Sequence, residues 1–133
     1  MNKRITPNKI TQLKDNEIFV FGSNLSGIHG AGAAKTAMMW GAKLGMSIGL
    51  QGKTYAIPTK DASIRHTLPL SEIKMYVNYF IEFAKNNKNL VFLVTEIGCG
   101  LAGLKPKDVA PLFQDCKNIE NIYLPENFWK YIN

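Results

Sequence analysis

Hydrophobic positions along the chain alternate between two kinds of pattern. Glu17-Ile18-Phe19-Val20-Phe21 is a short β-branched and aromatic run that stops at Gly22-Ser23-Asn24, which predicts a buried strand feeding a loop. Thr54-Tyr55-Ala56-Ile57 predicts a second strand, halted by Pro58. Residues 89–95 are nearly all apolar, as a central strand covered on both faces would be, and they run into Gly98-Cys99-Gly100. Residues 119–124 predict the last strand, and the segment 5–13 offers an edge strand. Between the strands, residues 31–44 are rich in Ala, Met and Lys and predict a helix despite Gly32 and Gly41. Ile73, Val77, Phe80, Ile81 and Ala84 recur at the spacing of one helical face, so a helix is expected over 71–86 with Ser71 as its cap. Pro106 suits the first turn of a helix over 106–116, and residues 126–132 predict a short closing helix.

Strands alternating with helices imply an α/β fold: a mixed, largely parallel central sheet with helices on both sides, in three layers. With 133 residues, 46% of them hydrophobic and 20% charged, one compact domain over 1–133 is expected. No apolar run is long enough to span a membrane or serve as a signal peptide, which predicts an intracellular, cytoplasmic, soluble protein with no membrane partner. Cys99 and Cys116 lack the close pairing of a zinc ribbon or redox motif, so buried or loop thiols are expected, with no metal and no cofactor.

Charge changes the picture. The net charge is +6, but residues 61–133 hold eight basic and eight acidic side chains, so the surplus lies wholly in residues 1–60, with eight basic and two acidic. No acidic residue occurs between Glu17 and Asp61, while Lys35, Lys43, Lys53 and Lys60 do. That stretch favours a phosphate-bearing partner; a basic solvated face is the plainer alternative.

Glycine is clustered in the same way. Eight glycines lie between Gly22 and Gly52, none between 53 and 97, and three at Gly98, Gly100 and Gly103. The first cluster includes Gly22-Ser23-Asn24 and His29-Gly30-Ala31-Gly32-Ala33; the second reads Gly98-Cys99-Gly100-Leu101-Ala102-Gly103. Each follows a predicted strand, at the sheet edge where open α/β folds bind ligands. Neither is a P-loop, since no Gly-Lys-Ser/Thr follows. Gly98-x-Gly100-x-x-Gly103 matches the dinucleotide fingerprint, but no acidic ribose-binding residue follows at the expected distance. Two turns stripped of side-chain bulk suit a diphosphate held between backbone N–H groups.

The run 18–24 with His29-Gly30-Ala31-Gly32-Ala33-Ala34, and the run 93–103 with its Ile-Gly-Cys-Gly-Leu core, resemble the two ligand loops of macrodomains. The likeness is closest to the branch containing the terminal ADP-ribose protein glycohydrolase, and extends to small phage and bacterial proteins of this pattern. It covers about residues 17–124 and implies binding of ADP-ribose or a related nucleotide. Asn24 would face the distal ribose, Gly30 to Ala33 the phosphates or that ribose, and Gly98 to Ala102 the other side of the diphosphate. Gly22, Ser23, Thr59 and Gly103 complete the implied binding set. ADP-ribosylated protein or nucleic acid would be the macromolecular partner.

The resemblance also implies hydrolysis of an ADP-ribosyl bond, with Lys60 at the position of the attacking lysine. The acid-base aspartate of that branch is replaced here by Ala102, leaving Asp61 or Glu96 as substitutes; an ammonium without a base is a poor nucleophile. His29 is a candidate phosphate contact or proton carrier, or a residue packed over its loop. Arg65 and His66 are expected to be exposed, and Met38, Met39 and Trp40 to be core. Cys99 is either a thiolate near a helix N-terminus or part of a backbone cradle. The rival function is a basic nucleic-acid-binding module without catalysis, although two arginines and no interleaved aromatics argue against it.

Overall fold

A computed structural model describes residues 4–133. Its centre is a six-stranded sheet in the order β1-β6-β5-β2-β4-β3. The strands are β1 (Ile5–Thr6), β2 (Glu17–Asn24), β3 (Gly49–Gln51), β4 (Thr54–Lys60), β5 (Val91–Val94) and β6 (Ile122–Pro125). Every neighbouring pair is parallel except β3 with β4. The helices are α1 (Gly32–Ala37), α2 (Leu70–Lys85), α3 (Pro106–Val109) and α4 (Glu126–Trp129). The expected three-layer α/β/α arrangement with a mixed, mostly parallel sheet is what the chain forms.

Alternation along β2 separates the two faces. Ile18 and Val20 join the larger apolar layer under α2 and α4, while Phe19 and Phe21 join a smaller one with Ala34, Ala37 and Ala42. All five periodic positions of α2 are buried, and Phe80 stacks edge-on against Phe92 at 5.5 Å. The N-terminal strand is pinned by Arg4, whose guanidinium donates to the Ile122 and Cys116 carbonyls at 2.9 and 2.8 Å.

Several boundaries differ from those read in the sequence. The helix expected over 31–44 is only six residues of α1 followed by a 3-10 turn, Met38–Trp40. Gly41 ends it with φ of 114°, and the Ala42 N–H closes back on the Ala37 carbonyl at 3.1 Å; this is the glycine-terminated reversal that stops a helix. Met38 and Met39 consequently face solvent, Met39 at 70% exposure, and only Trp40 packs inward, 5.1 Å from Phe19. Pro58 does not halt β4, which runs on to Lys60; beyond Ala56 the β3 partner has ended, so a residue without an N–H is tolerated. β2 likewise extends through Asn24, and β1 ends at Thr6.

Pro69, not Ser71, precedes α2, and no side chain caps it. The helix expected over 106–116 is α-helical only to Val109 and 3-10 from Ala110 to Asn118, because Pro111 has no N–H to give the Lys107 carbonyl. The strands expected over 89–95 and 119–124 shorten or shift to β5 and β6, and α4 ends at Trp129. β3 was not expected at all. Among the described residues no helix is long and apolar enough to cross a membrane.

Candidate functional site

Parallel strands β2, β4 and β5 deliver three segments to one edge of the sheet, where they enclose a cleft of about 680 Å³. Its walls come from 22–34, from 59–64 and from 95–102. The first and third touch at their bases: a Cβ added to Gly22 would lie 3.5 Å from the Gly98 nitrogen. Near the rim, a Cβ on Gly32 would lie 4.0 Å from the Leu101 side chain, which is 71% exposed. The gap between the turns is open.

The first wall is built around Asn24. Its side-chain Nδ2 donates to the Ile28 carbonyl at 2.7 Å, and its Oδ1 accepts from Ser26 Oγ and the Ile28 N–H at 2.8 and 3.0 Å. A buried amide so occupied shapes the loop; its oxygen has no lone pair left for a ribose. Asn24 lines the cleft with its carbonyl spent on the turn and one Nδ2 hydrogen left over. Ser23 is buried and donates to the Ser47 carbonyl. His29 is a correction: at 1% exposure it lies outside the cleft, with Nε2 2.9 Å from the Lys43 carbonyl and its ring edge-on to Phe21 at 5.4 Å. It anchors the loop to the Lys43 carbonyl and does not line the cleft, the packing role that is the other reading of this residue. Beyond it Gly30 and Ala31 are exposed, and the first turn of α1 has no side-chain cap.

The third wall begins at Thr95, whose N–H and Oγ1 both reach the Val20 carbonyl, at 3.1 and 2.8 Å. Ile97 plugs the core, and Gly98 turns with φ of 78°. The turn closes through the Leu104 N–H on the Gly98 carbonyl at 2.8 Å and the Gly103 N–H on the Gly100 carbonyl at 3.0 Å. Gly103 thus completes the turn without lining the cleft, a second correction. Among the described residues, the N–H groups of Gly30 and Ala31 on one wall and of Gly100, Leu101 and Ala102 on the other donate to no protein acceptor. Gly30, Ala31, Gly100 and Leu101 are exposed, so these donors are open to water or to a ligand.

Two charged side chains line the cleft, Lys60 and Glu96. Lys60 Nζ makes one long contact, 3.4 Å to the Ile64 carbonyl. The described residues hold a single ion pair, Lys85 with Glu82 at 3.8 Å, so no carboxylate stands within salt-bridge reach of Lys60. Glu96 accepts from Asn127 Nδ2 at 2.9 Å. Asp61 accepts from Ser63 Oγ at 2.6 Å, and that bond lowers its carboxyl below the ordinary range. Neither substitute for the missing aspartate reaches the lysine.

Cys99 sits half-buried in the third wall. Burial, aided by Glu96 and Asp108, pushes its thiol up to about 11, which contradicts a thiolate at neutral pH. Because the thiolate is the reacting form, alkylation of Cys99 by iodoacetamide is expected to be very slow at pH 7.5 and to keep accelerating past pH 10. Rapid labelling at pH 7.5 would contradict this environment. Arg65 and His66 are exposed, as expected.

Of the residues singled out by sequence, Gly22, Ser23, Asn24, Gly30, Ala31, Gly32, Ala33, Thr59, Lys60, Glu96, Gly98, Cys99, Gly100, Leu101 and Ala102 line the cleft. Ile28, Ala34, Ile64, Thr95 and Ile97 line it too and carried no chemical signal in the sequence. A smaller hollow of about 410 Å³ adjoins it, sharing Ala33, Thr95 and Glu96 and bordered by Thr6, Ile10, Phe19 and Pro125. No protein-family profile, curated protein or solved structure matches the chain.

Proposed function

We propose that the cleft binds ADP-ribose or a related nucleotide diphosphate ribose, with the diphosphate between the two glycine turns and the base toward the adjoining hollow. The observation that carries this reading is the set of backbone N–H groups on Gly30, Ala31, Gly100, Leu101 and Ala102 that have no protein acceptor and belong to both walls of one open cleft. Such donors neutralise a phosphate without charged side chains. The acid-free stretch from 18 to 60 leaves the first of the three walls without like charge.

Binding ranks above turnover, because Lys60 has no carboxylate in reach to accept its proton. Isothermal calorimetry with ADP-ribose tests the reading: heat with saturation in the micromolar range is expected, and no heat at high micromolar protein overturns it. The affinity should fall only slightly as salt rises, since fixed backbone dipoles and one lysine hold the ligand. A basic nucleic-acid surface would instead lose affinity steeply. Lys60→Ala is expected to weaken ADP-ribose about three- to tenfold, the worth of one half-exposed charge-assisted contact.

A further inference from the structure

Ile64 is the one described non-glycine residue with a positive φ, at 67°. For a β-branched side chain this is a costly conformation that persists only where the surroundings enforce it. They do so here: the Asp61 N–H reaches the His66 carbonyl at 2.9 Å, the Ile64 N–H reaches the Asp61 carbonyl at 3.0 Å, and Lys60 pairs with Thr67 in an antiparallel bridge. The resulting hairpin is tied to both glycine turns. The Lys60 carbonyl accepts from the Leu25 N–H at 3.0 Å, and Thr67 Oγ1 donates to the Ala102 carbonyl at 2.6 Å. Ile64 itself lines the cleft, and its carbonyl holds the Lys60 ammonium.

Sheet order sets where this hairpin stands relative to a ligand. The adjoining hollow lies at the ends of β1 and β6, the glycine turns follow β5 and β2, and the hairpin follows β4. From β6 to β4 is three strand spacings, roughly 14 Å, about the reach of a nucleotide extended through its diphosphate. With the base in that hollow, as proposed, a group carried beyond the second phosphate meets Ile64 and Lys60.

We infer that this hairpin reads the group attached beyond the diphosphate, and that Ile64 is a specificity-determining residue selecting a sugar-bearing nucleotide over a bare nucleoside diphosphate. The inference rests on the diphosphate reading of the cleft. Ile64 supplies an apolar wall for the sugar ring, and Lys60 exchanges its weak carbonyl contact for a sugar hydroxyl.

The test compares ADP-ribose with ADP by calorimetry on the full chain, in the wild type, in Ile64→Gly and in Ile64→Asn. Glycine and asparagine both accept the left-handed backbone, so both variants fold, with melting temperatures at or above that of the wild type. Removing the apolar wall is expected to weaken ADP-ribose about tenfold and ADP less than about twofold in both variants. If the wild type binds and its preference for ADP-ribose survives in both variants, or if ADP weakens equally, Ile64 does not select the sugar and the inference is overturned. If the wild type binds neither nucleotide, the diphosphate reading fails and takes this inference with it.

Discussion

Gly100→Glu is expected to abolish ADP-ribose binding, lowering the affinity at least 100-fold by calorimetry, while the thermal unfolding midpoint stays near that of the wild type. The fold has no stake in this glycine: its φ is ordinary, and a Cβ there would meet no atom within 4 Å. The new carboxylate would stand beside the unpaired N–H groups of Leu101 and Ala102, where the diphosphate is proposed to lie. Two unit charges about 4 Å apart repel by roughly 4 kcal/mol at an effective dielectric of about 20, and tenfold in affinity corresponds to about 1.4 kcal/mol. Gly100→Ala adds bulk without charge and should bind within a few-fold of the wild type. A Glu variant that binds normally would show that the diphosphate does not lie against this turn.

Gly27→Ala is expected to damage fold and site together. Gly27 holds φ at 71°, and an added Cβ would fall 2.5 Å from the Gly45 carbonyl carbon and 2.6 Å from the Met46 nitrogen. Those neighbours are backbone and cannot rotate away. The left-handed conformation alone costs an alanine about 1–2 kcal/mol, and separating the two backbones adds to it, so a loss of about 3 kcal/mol is expected in urea unfolding. The displaced segment carries the Gly45 N–H bond to the Gly27 carbonyl, at 2.9 Å, and lies beside the carbonyl that His29 grips. Loop 24–30 would lose its seat, and ADP-ribose affinity should drop with it. Gly30→Ala is the matched comparison: its Cβ has open space and its φ is ordinary, so stability should stay within about 0.5 kcal/mol. Equal unfolding curves for the two variants would refute the account of loop 24–30.

Much of the fold was legible because burial leaves a periodic mark. The run 17–21 alternates between two apolar layers, and the spacing of Ile73, Val77, Phe80, Ile81 and Ala84 marks the buried stripe of α2. What misled was local propensity where a distant contact decided. The composition of 31–44 favours helix, yet Gly41 packs against the Gly52 backbone, where a Cβ would have only 2.8 Å, and the chain reverses there. Pro58 looks like a strand breaker, but the pairing of β4 with β3 ends at Ala56, before the proline. His29 looks like a ligand contact by its place among glycines, and only the position of Phe21 and the Lys43 carbonyl turns its ring inward.

The sequence by itself determined the layered α/β class and the two turns cleared of side-chain bulk, because hydrophobic period and glycine content are properties of neighbouring residues. That those turns face one another across a cleft, that no described carboxylate comes within salt-bridge reach of Lys60, and that Ile64 lines the cleft with a positive φ were decided only by the tertiary structure. Each depends on strand order, which brings together residues 35 to 75 positions apart, and no local pattern along the chain encodes that order.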